Sequence, residues 1–137
     1  MQYRIEVFDI DVAPEIIKVF KQHKMVGSRT ILGASNPGSD YDILCHVWSK
    51  RLAERKLEKL GFYTTSVFSM RLSPYHFRKH SPFIAMRNED NVNLIITSSR
   101  KFYTRFLDAN TVAQNLGLTN KEDRITLFQY ILYGRHR

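Results

Sequence analysis

The sequence predicts an α+β fold, a mixture of helices and strands, and three observations predict it. Residues 2–8, QYRIEVF, alternate in polarity as a half-buried strand does. Ala13, Ile16, Ile17 and Phe20 then recur at helical spacing, and FIAMR-NEDN-VNLIIT (83–97) reads as a hairpin with a four-residue turn. With 137 residues, 43% hydrophobic and 12% aromatic, the chain can bury one core but is short for two, so residues 1–137 are expected to form a single domain.

The elements follow in order. Pro14 suits a first helical turn, and the helix it opens should lead into KMV (24–26), a short strand stopped by Gly27. SDYDILCHVW (39–48) alternates as a strand. Ser49 is placed to cap a helix with Leu52, Ala53, Leu57 and Leu60 on one face, and Gly61 stands where helices commonly stop. GFYTTSVFSMRL (61–72) reads as a strand and SPYHFRKHSP (73–82) as a loop between prolines. Phe102, Tyr103, Phe106 and Leu107 mark a helix after the hairpin. Thr119 and Glu122 form a capping box before a last helix whose apolar face is Ile125, Phe128, Ile131 and Leu132.

No stretch approaches the roughly 20 apolar residues of a membrane helix, and the N-terminus carries charges where a signal peptide has its apolar segment. The single cysteine, Cys45, excludes an internal disulfide framework and offers no zinc-ligand spacing. Together these predict a soluble protein of a reducing cytoplasm, with no membrane partner. Twenty-one Lys and Arg against thirteen Asp and Glu give a net charge of +8, which raises nucleic acid or nucleotides as partners. The basic residues are spread along the chain, which fits a generally solvated basic surface as well as one organised patch.

The most informative stretch is VGSRTILGASNPGSDYDIL (26–44). Alternation sends Asp40 and Asp42 to one face of a strand and Tyr41, Ile43, Cys45 and Val47 to the other, which should be core. Neighbouring carboxylates repel, and a divalent cation with oxygen ligands relieves the repulsion directly. Upstream, Gly27 permits close backbone approach, and Ser28 brings a hydroxyl and an N–H of the kind that hold phosphate oxygens. Phosphate on one side and metal on the other point to phosphoryl or nucleotidyl transfer.

In this order the motif resembles the signature of the polymerase beta type nucleotidyltransferase superfamily, a Gly-Ser turn followed by Asp-x-Asp on the next strand. Residues 92–132 are also similar to the C-terminal half of small stand-alone nucleotidyltransferase-like proteins encoded by bacteriophages, which would place the chain in a host cytoplasm. The resemblance implies a minimal nucleotidyltransferase fold, a mixed β-sheet flanked by helices. It implies Mg²⁺ (or Mn²⁺) and a nucleoside triphosphate donor, with transfer of a nucleoside monophosphate to an RNA, protein or small-molecule hydroxyl. Carried onto this chain, it makes Asp40 and Asp42 the metal-binding carboxylates, Gly27 and Ser28 contacts to the donor's phosphates, and Arg29 a further phosphate contact. The family's third carboxylate falls on VNLIIT, where this chain has Asn93, whose amide brings no charge and cannot act as a base. If that strand lies beside the aspartates, Asn93 should face them, with Val92, Leu94 and Ile96 on the opposite buried face.

Other residues have two readings each. Glu89 and Asp90 are either a substitute for the missing carboxylate or solvated turn acids. His76 and His80 have the spacing of two ligands on a helix but lie in a basic, proline-bracketed loop. His46 shares the aspartates' face and reads either as a neighbour of the site or as a satisfied polar residue beside the core. Phe102, Tyr103 and Phe106 have the spacing of core packing rather than of a base-stacking platform. Three functions stay open: an active transferase, a catalytically degenerate member that binds nucleotide or nucleic acid, and a scaffold that engages a host protein.

Overall fold

The computed structural model describes residues 3–5, 10–12, 14–66, 71–72 and 81–134. Among them, β1 (Tyr3–Ile5) and β2 (Ile10–Val12) form an antiparallel ribbon, with Tyr3 opposite Val12. Of the strand expected over 2–8, Tyr3–Ile5 forms, residues 2 and 6–8 lie outside the described residues, and a second strand precedes the first helix. Helix α1 covers only Pro14–Ile17. Its apolar spacing runs to Phe20, but the chain leaves the helix because the Lys21 amide donates to the His46 carbonyl at 2.7 Å and enters the sheet ladder.

The main sheet has five strands: β3 (Gln22–Val26), β4 (Tyr41–His46), β5 (Tyr63–Thr65), β6 (Ile84–Arg87) and β7 (Val92–Thr97). Their order is β3-β4-β7-β6-β5, with β4 and β7 parallel and every other pair antiparallel. Helices α2 (Lys50–Glu58), α3 (Arg100–Leu116) and α4 (Lys121–Tyr133) complete a mixed sheet flanked by helices, the predicted α+β class. β3 starts two residues earlier than expected, because pairing with β4 recruits the polar Gln22 and His23. Of the strand expected over 61–72, Tyr63–Thr65 forms; residues 67–70 and 73–80, with His76 and His80, lie outside the described residues.

Both faces of the sheet are covered. On one, Ile43, Cys45, Val47, Val92, Leu94 and Ile96 pack with Val19, Phe20 and with Ala53 and Leu57 of α2. On the other, Leu44 and Ile95 pack with Phe102, Phe106, Ala109, Phe128 and Leu132 of α3 and α4. β7 is buried along its whole length, as a central strand between two layers must be. Burying one such aliphatic side chain contributes about 1.5–3 kcal/mol, so the two layers rather than helix propensity hold the fold. The expected face of α2 is half right: Ala53 and Leu57 are buried, whereas Leu52 is 53% exposed.

Helix ends follow their sequence signals with one shift. Ser49 caps α2 by accepting from the Leu52 amide, and Ser99 caps α3 through Phe102. At α4 the cap is Asn120, not Thr119; its side chain accepts from the Glu122 and Asp123 amides. Glu122 is thereby released from a capping box and pairs with Arg71 at 2.7 Å. Among the described residues, no helix is long and apolar enough to cross a membrane.

Candidate functional site

A row of paired residues crosses the sheet: Val26, Asp42, Asn93 and Arg87 stand opposite one another on β3, β4, β7 and β6. Opposed residues project to one face, so the row brings three polar side chains together above buried Leu44 and Ile95. Asn93 Nδ2 donates to Asp42 Oδ1 at 3.0 Å. Arg87 holds Asp40 with both arms, Nη1 to Oδ2 at 2.9 Å and Nη2 to Oδ1 at 2.8 Å, the bidentate fork that satisfies a carboxylate best. Nothing in the sequence reading singled out Arg87.

These groups floor a cleft of about 690 Å³ whose lining includes Gly27, Ser28, Ser39, Lys121 and Arg124, with Phe106, Ile125 and Phe128 as an apolar wall. Arg124 is steered by the loop before α4, donating to the Leu118 and Thr119 carbonyls at 3.1 and 2.8 Å. Five charged side chains thus share the cleft: Asp40 and Asp42 against Arg87, Lys121 and Arg124.

Gly27 leads into a short 3-10 turn, Ser28–Thr30, at φ +84. A Cβ there would stand 2.3 Å from Asp42 Oδ2, so the glycine admits the aspartate's carboxylate against the backbone. The turn is tied to α3 by the buried Asn110. Its Oδ1 accepts from the Gly27 amide at 2.9 Å and its Nδ2 donates to Thr30 Oγ1 at 3.0 Å. Of the Gly27–Ser28 pair, then, the Gly27 N–H is engaged within the protein, while Ser28 lines the cleft. Asn110 had a signal in the sequence: it is a polar residue in the stripe Tyr103, Phe106, Asn110, Ala113, where core spacing calls for an apolar one.

Arg29 goes elsewhere. Its guanidinium donates to the Ser39 and Pro37 carbonyls and lies 3.9 Å from the Tyr41 ring centroid, so it braces the loop that delivers Asp40 and is not among the cleft lining. His46 is buried further along β4, its ring 5.5 Å from that of Tyr103, and does not reach the cleft. Burial lowers its pKa. Glu89 and Asp90 are exposed in the β6–β7 turn and do not line the cleft.

Burial raises the pKa of Asp42 to about 6; the Asp40 charge adds to this, while the Asn93 hydrogen bond, Arg87 and Arg124 oppose it. Arg87 is held more firmly protonated by its hydrogen bond to Asp40. The arrangement does not match the divalent-metal site the family resemblance implies. Both Asp40 oxygens are taken by an arginine, Asp42 Oδ1 by an amide, and the third position carries Asn93. Among the described residues, no three His, Cys, Asp or Glu side chains cluster closely enough to hold an ion. As arranged, the cleft can receive an anion: it offers cations from two elements, a hydroxyl at Ser28 and an apolar wall.

The fold and cleft define the protein as a small α+β protein with one mixed sheet and a charged cleft at the start of β4. No protein-family model matches the chain. No curated protein matches it. Among solved structures, the conserved protein GrpB from Enterococcus faecalis is similar over 98% of this chain and 97% of its own, at 13% identity and a TM-score of 0.44.

Proposed function

We propose that this protein is a nucleotidyltransferase-like protein whose cleft binds a nucleoside triphosphate, and that it is a catalytically reduced form of that class. The observation that carries the reading is the Asp42–Asn93 hydrogen bond: the sequence motif supplies Asp-x-Asp, and the side chain beside it is an amide where transfer needs an acid. Ser28 and the cations Arg87, Lys121 and Arg124 suit a phosphate chain, and the wall of Phe106, Ile125 and Phe128 suits a base. The net charge of +8 favours the same anionic class of ligand, and extends to RNA as a second partner.

Calorimetric titration with each of the four ribonucleoside triphosphates tests this. At least one should bind and raise the melting temperature by mass action. A protein indifferent to all four would leave the scaffold reading, with a host protein as partner.

One observation favours active transfer as a second reading. Asp42 lines the cleft, and burial raises its pKa to about 6, close to where a general base works best; with Oδ1 released from Asn93 it is suited to take the proton of an attacking hydroxyl on RNA, protein or a small molecule. Incubation with labelled nucleoside triphosphate, Mg²⁺ or Mn²⁺ and a lysate decides between the two: label fixed to an acceptor supports transfer, and binding without labelling supports the reduced form.

A further inference from the structure

We infer that Arg87 stands where a metal ion would, so that this cleft binds the phosphate chain of a nucleotide without a divalent cation. The inference rests on the nucleotide reading above and goes beyond it in assigning the counter-ion to a side chain of this protein.

Two neighbouring carboxylates, Asp40 just before β4 and Asp42 on it, require positive charge beside them, and the cleft already supplies it. Arg87 neutralises Asp40 through two hydrogen bonds of 2.8 and 2.9 Å. For an ion to reach Asp40, this bidentate pair must first break. Asp42 is no easier to reach: Oδ1 accepts from Asn93, and Oδ2 sits against Gly27, where even a methyl carbon would be at 2.3 Å. With Lys121 and Arg124 included, three cations line the cleft against two carboxylates, an excess of positive charge before any ligand arrives.

Arg87 is also placed to meet the ligand. Asp40 takes two of the five N–H groups of its guanidinium, and a third approaches Asn91 Oδ1 at 3.4 Å. Its side chain remains 30% exposed within the cleft. The guanidinium can therefore bridge, holding Asp40 on one edge and a phosphate oxygen on another, as a cation shared between carboxylate and phosphate does. Its strand is paired on both sides, so the charge sits on a rigid element.

Titration calorimetry on the full chain, with the nucleoside triphosphates as probes in excess EDTA and again in excess Mg²⁺, tests the inference. The affinity is expected to differ by less than about threefold between the two conditions. Arg87→Gln is expected to weaken binding in EDTA by about ten- to a hundredfold, the loss of a charged hydrogen-bond donor, and Mg²⁺ should restore part of it by reaching the freed Asp40. Binding by the wild type in Mg²⁺ alone would overturn the inference and leave the nucleotide reading intact. No binding in either condition would overturn both. Undiminished binding by a folded Arg87→Gln protein would remove the role from Arg87. Should that variant not fold, Mn²⁺ titration of the wild type without nucleotide, read by the paramagnetic resonance of the free ion, is the independent measurement: the free signal should stay unchanged, and tight uptake of Mn²⁺ would overturn the inference.

Discussion

Asn93 Nδ2 lies 3.0 Å from Asp42 Oδ1 across the parallel pair β4–β7, and the two residues stand directly opposite in register. Replacing that amide by a carboxylate turns an attraction into a repulsion at the same distance. Asn93→Asp should therefore lower stability by roughly 2–4 kcal/mol in metal-free buffer, combining the lost hydrogen bond with two like charges in a buried setting. Mg²⁺ or Mn²⁺ should return much of the loss in the variant and little in the wild type. Melting curves with and without metal check this, and the same variant should transfer nucleotide faster than wild type if an acceptor is supplied.

Gly27 and Gly117 differ in backbone region as well as in contacts: Gly117 is in the left-handed αL region (ψ 42), whereas Gly27, at ψ −162, lies where essentially only glycine goes. Both have positive φ, +84 and +62, but a Cβ on Gly27 meets the Asp42 carboxylate at 2.3 Å, whereas nothing lies within 4 Å at Gly117. Gly117→Ala should cost about 1 kcal/mol from backbone strain alone. Gly27→Ala should cost roughly 2–4 kcal/mol, since Asp42 must also move and lose its Asn93 partner. Denaturant unfolding of the two variants measures the difference; equal costs would mean that neither the backbone region of Gly27 nor its Asp42 contact penalises the substitution.

The elevated pKa of Asp42 has a sign in stability. Its value is about 6 in the folded protein against 3.8 for a free aspartate, so between those values the folded state holds the extra proton. Stability from this group is fully present at low pH and is lost as pH rises through about 6, by up to roughly 3 kcal/mol. Asp42→Asn cannot titrate and should gain on wild type by about that amount between about pH 4 and about pH 7. Parallel unfolding curves for the two proteins would show the trend to be absent if burial did not govern the group.

Asn110 joins α3 to the Gly27–Ser28 turn through both ends of its amide. Asn110→Ala leaves the Gly27 N–H without its partner in a part-buried site, at a cost of about 1–3 kcal/mol. Because it loosens the turn that presents Ser28, it should also weaken nucleotide binding. Ser28→Ala should weaken binding by about ten- to a hundredfold with little change in stability, and calorimetry together with melting curves separates the two effects.

Local periodicity settled much of the architecture from sequence. Alternation in β4 placed Ile43, Cys45 and Val47 in one core layer, and the α3 spacing placed Phe102, Tyr103 and Phe106 in the other. The hairpin at 83–97 and the placement of Asn93 opposite the aspartate strand were also legible, because the period of a strand is two whatever surrounds it. Local signals failed where a neighbour competed. Helix α1 stops short of Phe20 because pairing with β4 takes over at Lys21, and Asn120 displaces Thr119 as the α4 cap.

The identity of Asp40's partner was decided by tertiary structure alone. The expected four residues, 88–91, separate β6 from β7, but that length alone would allow Arg87 to stand opposite Val92, on the α2 side of the sheet. Instead the Asn88 amide bonds the Val92 carbonyl, the Asn88 side chain accepts from the Asp90 and Val92 amides, and Asn91 adopts φ +61. Arg87 thereby pairs with Asn93 and faces the cleft. A one-residue change of register reverses the face of every side chain on a strand. Composition and periodicity fix which residues alternate; the turn's own hydrogen bonds fix the register, and here the register puts an arginine on Asp40.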